Sequence, residues 1–280
     1  MTFKTMLIHI ASPERVTSLL DAAIPLARKH DAHLIGLHVI PQPHVYVAAA
    51  AEMSAAVLNA QADYYGEQAE LIGQAFEART KGEDLVCEWR QVDSSGYPVA
   101  DVINAQVASA DLIILGQTLL DGDWESRSDL PSRVIMEGGR PVLVVPRDGV
   151  SGDIGKFVTI AWNGSREAAR ATADAQPILL QASEVKVLSL DQEQLMGRTN
   201  FTPSDAITVN LVRHGIRAEA AHYPSDGAGA GEALLSYAAE FGSDLLVMGC
   251  YGHTRFREFI FGGASRHILQ HATIPVLMSH

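Results

Sequence analysis

Cysteine is almost missing from this 280-residue chain: Cys87 and Cys250 stand far apart with no CxxC pairing. Neither a disulfide framework nor a zinc ribbon is expected from such spacing. Cations are scarce as well, with 21 Lys+Arg against 33 Asp+Glu and a formal charge of −12. Nucleic-acid binding rests on clustered cations, so the balance argues against it. No apolar run approaches the roughly 18 residues that would suggest a membrane span. The opening "MTFKTMLIHIASPER" lacks the basic segment, long apolar core and small-residue cleavage site of a signal peptide. These absences point to a cytoplasmic protein without membrane contact. There is also no GxxxxGK[ST] and no G-x-S-x-G, which removes the P-loop lysine and the nucleophile elbow from consideration.

What is present is a globular composition, 47% hydrophobic and 19% charged, and enough length for two ordinary domains. The chain repeats itself. "SADLIILGQ" (109–117) matches "GSDLLVMGC" (242–250), "RPVLVVP" (140–146) matches "IPVLMSH" (274–280), and "KTMLIHIASPE" (4–14) matches "KFVTIAWNGSRE" (156–167). A duplicated unit is therefore expected, residues 1–147 and 154–280, joined by the Gly-rich polar stretch "RDGVSGDIG". The first copy carries an additional Ala-rich segment within 44–80, in which Met53, Val57, Leu58, Leu71 and Phe76 are scattered. It reads as one long helix or two short ones, for packing or an interface.

Each copy alternates short β-rich runs with helical patterns; in the second these are "KFVTIAW", "REAARATADAQPILLQA", "EVKVLSL", a helix ending near "LVRHG", "RAEAAHY", "GEALLSYAAEFG", "DLLVMG", "ASRHILQHA" and "PVLMS". Near-continuous apolar strands between helices predict a doubly wound, Rossmann-like parallel sheet in each copy, covered on both faces. Ligands of such sheets bind outside the carboxyl ends of the strands.

The segment "GCYGHTRFREFIFGGAS" (249–265) leaves one such strand end. Gly249 and Gly252 would let the backbone approach a ligand closely. Gly262 and Gly263 precede a helix start, whose unpaired N–H groups suit phosphate. Ala264 sits in that helix start, Ser265 offers a hydroxyl, and His253, Arg255 and Arg257 offer cationic or polar groups. The competing reading is a surface loop whose glycines only satisfy turns. The first copy weighs against that reading: its equal-length loop (116–132) has Leu119 and Asp129 at glycine positions and carries Asp121, Asp123 and Glu125 against one Arg127. A polyanion would meet like charge there, so a phosphate site is expected in the second copy alone.

Two other patterns are weaker. "DGAGAGE" (226–232) imitates a dinucleotide fingerprint but does not follow the first strand of a unit, and it reads as a plain loop. His267 and His271 have the i, i+4 spacing of metal ligands, yet no acidic or cysteine partner is near in sequence. No metal ligand set and no catalytic set is expected.

The spacing G-x2-G-x9-G at Gly249, Gly252 and Gly262, followed in order by "GGASRHIL" and "PVLMS", resembles the ATP-binding branch of the universal stress protein family. The resemblance covers nearly the whole chain as a tandem pair. It implies that the two copies pair as an intramolecular pseudo-dimer, with "VLVVP" and "PVLMS" at the contact. It also implies that adenosine sits at "AWNGS", against Ala161, Trp162 and Asn163, with the backbone at Ser189 reading the adenine edge. The family's pattern usually has Ser or Thr where this chain has Gly263, and often Asp where it has Asn163. The expected ligand is ATP, with or without Mg, or ADP or AMP, and the expected role is regulatory or stress-protective. The remaining partner class is a homodimer or an unidentified protein. Two alternatives stay open: slow ATP hydrolysis involving His253 and Glu258, and a nucleotide-free interaction module built on the Ala-rich segment.

Overall fold

The computed structural model of this chain describes residues 2–41, 55–117, 130–150, 152–191, 203–250 and 263–280. The first copy runs β1 (Thr5–His9), α1 (Val16–His30), β2 (His33–Ile40), α2 (Ala55–Thr80), β3 (Cys87–Asp93), α3 (Val99–Val107), β4 (Leu112–Gly116), α4 (Leu130–Glu137) and β5 (Val142–Val145). The second runs β6 (Phe157–Ala161), α5 (Arg166–Asp174), α6 (Gln176–Leu179), β7 (Glu184–Leu190), α7 (Ser204–Arg213), β8 (Ala218–Tyr223), α8 (Ala230–Phe241), β9 (Leu245–Gly249), α9 (Gly263–His271) and β10 (Val276–Ser279).

Among the described residues the strands form a ten-stranded sheet ordered β3-β2-β1-β4-β5-β10-β9-β6-β7-β8. Within each half the pairing is parallel. The halves meet at β5 and β10, which pair antiparallel with Val276 opposite Val144, Leu277 opposite Leu143 and Met278 opposite Val142. The expected contact between closing strands is thus a continuation of one sheet.

Strand residues alternate between two apolar layers, because successive side chains leave opposite faces of a pleated strand. Ile8, Leu34, Ile114, Val158, Ile160 and Val247 face α1, α2, α5 and α7. Leu7, Leu37, Ile113, Leu188, Leu246 and Met248 face α3, α4, α8 and α9. Fully burying one such aliphatic side chain is worth about 1.5–3 kcal/mol.

Two details depart from the sequence expectation or refine it. The run "REAARATADAQPILLQA" is two helices, not one, with the break at Ala175 and Pro177 in the first turn of α6. Proline has no N–H for a continuous helix but fits a helix start. The Ala-rich segment contains one 26-residue helix, α2, from Ala55; Met53 lies outside the described residues. Only the C-terminal part of α2 enters the core, through Ala69, Ile72 and Phe76, while Val57 and Leu71 are exposed. Phe76 reaches Trp89 with ring centroids 5.1 Å apart. A Cβ on Gly36 of β2 would sit 2.5 Å from the Phe76 ring, so this docking requires glycine.

The repeat is visible in one polar device. Asp244, ahead of β9, accepts from the backbone N–H groups of Gly155, Lys156 and Phe157 at 2.8–3.0 Å. In the first copy Asp111 accepts from Lys4 and Thr5 at 2.7 and 2.9 Å. Each carboxylate pins the start of the first strand of its copy to the strand beside it.

Candidate functional site

The geometry of the site follows from strand order. β6 feeds α5 on one face of the sheet, and its neighbour β9 leads to α9 on the other. Two adjacent parallel strands whose connections leave to opposite faces open a crevice at their carboxyl ends, the switch point at which α/β sheets bind ligands. Ala161 ends β6 beside Met248 of β9 and Leu188 of β7. Gly249 ends β9. Helix α9 runs back against the strand direction, which brings its N-terminus, Gly263 and Ala264, to this same edge.

The expected residues distribute as follows. Ala161, Asn163, Gly249, Gly263 and Ala264 lie at the crevice. Gly252, His253, Arg255 and Gly262, like Arg257 and Glu258, lie outside the described residues, as does the acidic first-copy stretch 118–129. Asn163 is exposed, and its Oδ1 accepts from the Ser165 N–H at 3.1 Å. Ser165 in turn caps α5, its hydroxyl accepting from the Ala168 N–H at 3.1 Å. Ser189 is fully buried in β7, in register with His222 of β8, and its hydroxyl donates to the Trp162 carbonyl at 3.2 Å.

Two side chains point elsewhere than the crevice. Trp162 is 5% exposed and packs in the same apolar layer as Ile160 and Ala168, so its ring is a core element. Alternation along β6 sends it to the α5 face. Ser265 is buried, and its hydroxyl hydrogen-bonds Cys250, whose thiol burial pushes up to about 12. That cysteine is a neutral core group and no nucleophile.

Gly249 has a reason that the loop alone did not suggest. A Cβ there would lie 2.4 Å from the Glu167 carbonyl carbon and 2.5 Å from the Ala168 nitrogen. The glycine lets the first turn of α5 lie directly on the end of β9. At Gly263, by contrast, a Cβ would meet nothing within 4 Å.

The first copy fills the corresponding crevice with its own side chains. His9 stands where the second copy has Ala161; it is buried, with an unpartnered Nε2, and burial lowers its pKa to about 3. Arg15 lies over Gly116, its Nη2 3.3 Å from where a Cβ would be, and donates to the carbonyls of Val145 and Pro146 at 3.2 and 3.0 Å, and to that of Arg147. Gln117 follows, donating to the Ala272 carbonyl at 3.1 Å and accepting from the Arg147 N–H at 2.8 Å. Sequence reading missed Arg15 because it sits outside any motif; only the strand-end glycine beneath it marks the position.

The remaining patterns keep their modest readings. "DGAGAGE" turns through Asp226 and Gly227, both with positive φ, and enters α8 after the edge strand β8. The rings of His267 and His271 stack at 4.4 Å. No group of three or more His, Cys, Asp or Glu positioned to hold a metal occurs among the described residues. No helix among them is long and apolar enough to cross a membrane.

Comparison with known proteins agrees with this architecture. A universal stress protein from Archaeoglobus fulgidus superposes with a TM-score of 0.69 at 16% identity, over 98% of this chain and 95% of that one. A putative universal stress protein from Pseudomonas aeruginosa UCBPP-PA14 gives 0.57 at 16% identity, over 99% and 93%. These likenesses concern the fold. In sequence, Universal stress protein Slr1230 of Synechocystis is 40% identical over 46 residues, a stretch of 16% of each chain. The profile of the universal stress protein family matches twice, over residues 2–146 and 160–280. The chain therefore belongs to the universal stress protein family and carries two of its domains in tandem.

Proposed function

We propose that this protein binds one adenine nucleotide per chain, ATP with Mg or its products ADP and AMP, in the crevice of the second copy, and that occupancy serves a regulatory or stress-protective role. The observation that carries this reading is the asymmetry of the two switch points. The second copy has the small Ala161 at the end of β6; the first has His9 in that place and carries the guanidinium of Arg15 over its own strand-end glycine. The domains that would divide the labour are 1–147 and 154–280.

In this reading the phosphates sit over Gly252, Gly262 and the N–H groups of Gly263 and Ala264, where a helix start favours negative charge. Arg255 and His253 offset that charge. Adenosine lies along Ala161 and Asn163, and the backbone near Ser189 reads the base. Trp162 contributes through its carbonyl, which holds Ser189, and through packing beneath the site, without stacking on the base. A nucleotide regulates only through differential affinity for two states of the protein or of a partner complex.

Placing an acidic side chain in the loop, as the first copy does, tests the reading. Gly252→Asp should weaken binding of Mg-ATP by at least about tenfold, since each 1.4 kcal/mol of repulsion or lost contact is worth that factor. The thermal midpoint should stay at the wild-type value. Unchanged affinity in a folded Gly252→Asp protein would place the phosphates elsewhere.

A further inference from the structure

Among the described residues the sheet ends in two strands with a neighbour on one side only, β3 and β8. Along β8 the Arg217 carbonyl accepts from the Val185 N–H at 2.9 Å, and the Tyr223 carbonyl accepts from the Asp191 N–H at 3.2 Å. A residue in a parallel ladder turns its N–H and C=O to one side, and its chain neighbours turn theirs to the other. Glu219 and Ala221 therefore face β7, as Arg217 and Tyr223 do, while Ala218, Ala220 and His222 face outward. The Ala218 N–H closes on the Ile216 carbonyl at 3.0 Å. The Ala218 carbonyl and both backbone groups of Ala220 and His222 form the outward row, a template for a further strand.

Apolar side chains stand on both faces of this edge. On one face α7 packs against β7 and β8, with Ser204, Thr208 and Leu211 buried. Ile207 lies on one flank of that buried stripe and packs against the core. Helical spacing places Val209 and Val212 on the other flank, where they are 50% and 53% exposed. On the opposite face Tyr223 meets Tyr237 of α8 with ring centroids 5.4 Å apart, and Tyr237 stacks on Phe241 at 6.3 Å. The strand between these shoulders is slender, since Ala218, Ala220 and Ala221 make up half of β8.

The other end of the sheet differs. β3 carries Glu88, Arg90 and Asp93, with Arg90 paired to Glu88 at 2.7 Å. Charged side chains of this kind keep an edge from adding strands. On β8 the charges suit a partner related by a twofold axis. Glu219 is already paired with Lys186 at 2.7 Å. An axis through Ala220 would set Ala220 against its own equivalent, Ala218 against His222, and the exposed Arg217 against Tyr223. The Tyr223 hydroxyl donates to Glu240 at 2.7 Å. The guanidinium would then meet an aromatic ring and a carboxylate of the other molecule, and the outward backbone groups would meet each other.

We propose that two molecules of this protein associate through β8, antiparallel across a twofold axis at Ala220, with the two α7 helices side by side and Val209 and Val212 between them. The same kind of joint occurs once inside the chain, where β5 and β10 pair antiparallel. A contact of this symmetry uses one surface on both molecules and closes as a dimer. Main-chain bonds set its register, and the apolar shoulders add the buried area that a single strand pair lacks. The surface lies two strands from the crevice between β6 and β9, so it stands whether or not nucleotide binds.

Sedimentation equilibrium of the nucleotide-stripped full chain tests the proposal. Wild type should sediment with twice the chain mass at micromolar concentration. Ala220→Pro removes an outward N–H at the axis, once in each molecule, and no bond to β7. Proline is tolerated on such an edge, so the thermal midpoint should hold while the dimer weakens by about a hundredfold or more. Val212→Lys places two like charges between the paired helices and should weaken the dimer by about tenfold or more. It carries the comparison if Ala220→Pro does not fold. Gln91→Pro, at an outward residue of β3 by the same alternation, should leave the dimer intact. A monomeric wild type overturns the proposal, as does a dimer that folded Ala220→Pro does not weaken or that Gln91→Pro alone dissociates.

Discussion

Acidification from pH 7 to pH 5 should destabilise the protein, with His9 alone costing about 2 kcal/mol. His9 is buried in β1, and desolvation first, then the charge of His38, lowers its pKa to about 3. The sign follows from proton uptake. In the unfolded chain His9 binds a proton below its ordinary value near 6.5, whereas in the fold it does not. Its contribution is complete above pH 6.5 and is lost steadily as pH falls through the window from 6.5 to 3. His30 is lowered to about 4, again mainly by burial, with Lys29 and Lys4 adding to it, and neither of its ring nitrogens has a partner. His38 is lowered by burial and partly restored by the bond from its Nδ1 to the Ile10 carbonyl at 2.7 Å. Asp244 acts in the opposite sense, because burial raises its pKa despite its three backbone donors; protonation there favours the fold, and only toward the carboxylate range. All three buried histidines among the described residues lie in the first copy. Urea denaturation at pH 7 and pH 5 measures the loss, and His9→Leu should reduce it by about 2 kcal/mol. An equal pH dependence in that variant would contradict the assignment.

Gly249→Val should cost about 3 kcal/mol or more, at the top of the range for overpacking a closed core. The atoms its Cβ would strike belong to the backbone of α5, which cannot step aside as a flexible side chain can. Gly263→Ala should change stability by less than about 1 kcal/mol, with the sign favourable, since alanine loses less chain entropy and meets nothing. Thermal and denaturant midpoints of the two variants, taken together, separate a packing glycine from one that packing does not require. Equal losses at both positions would mean that the close approach of α5 to β9 does not hold.

Much of this architecture is written in residue order. The matches of "SADLIILGQ" to "GSDLLVMGC" and "RPVLVVP" to "IPVLMSH" give the duplication, and the antiparallel joining of β5 to β10 follows the closing strands they end on. Apolar alternation with helical runs is a local signal, so the parallel half-sheets were legible. What pattern could not show were effects of three-dimensional approach. Trp162 reads as a base-flanking residue or, as is commoner for a tryptophan at a strand end, as packing, and strand alternation sends it to the core. Ser265 reads as a phosphate hydroxyl until the fold turns it to Cys250. Glu167 reads as an ordinary acidic residue in a first helical turn, suited to the helix dipole; its burial against Gly249 depends on how α5 meets β9. The Arg15 guanidinium over Gly116 and the α5 backbone over Gly249 cover equivalent strand ends, a relation that appears only once the two half-sheets are aligned by register.

The central claim is a single nucleotide site in the second copy. Calorimetric titration of the nucleotide-stripped chain with Mg-ATP and with AMP, read for stoichiometry before affinity, tests it most directly. The account predicts one site per chain, lost in Gly252→Asp. Two sites per chain would contradict it by showing that His9 and Arg15 leave the first crevice open, and no binding to a folded chain would contradict it outright.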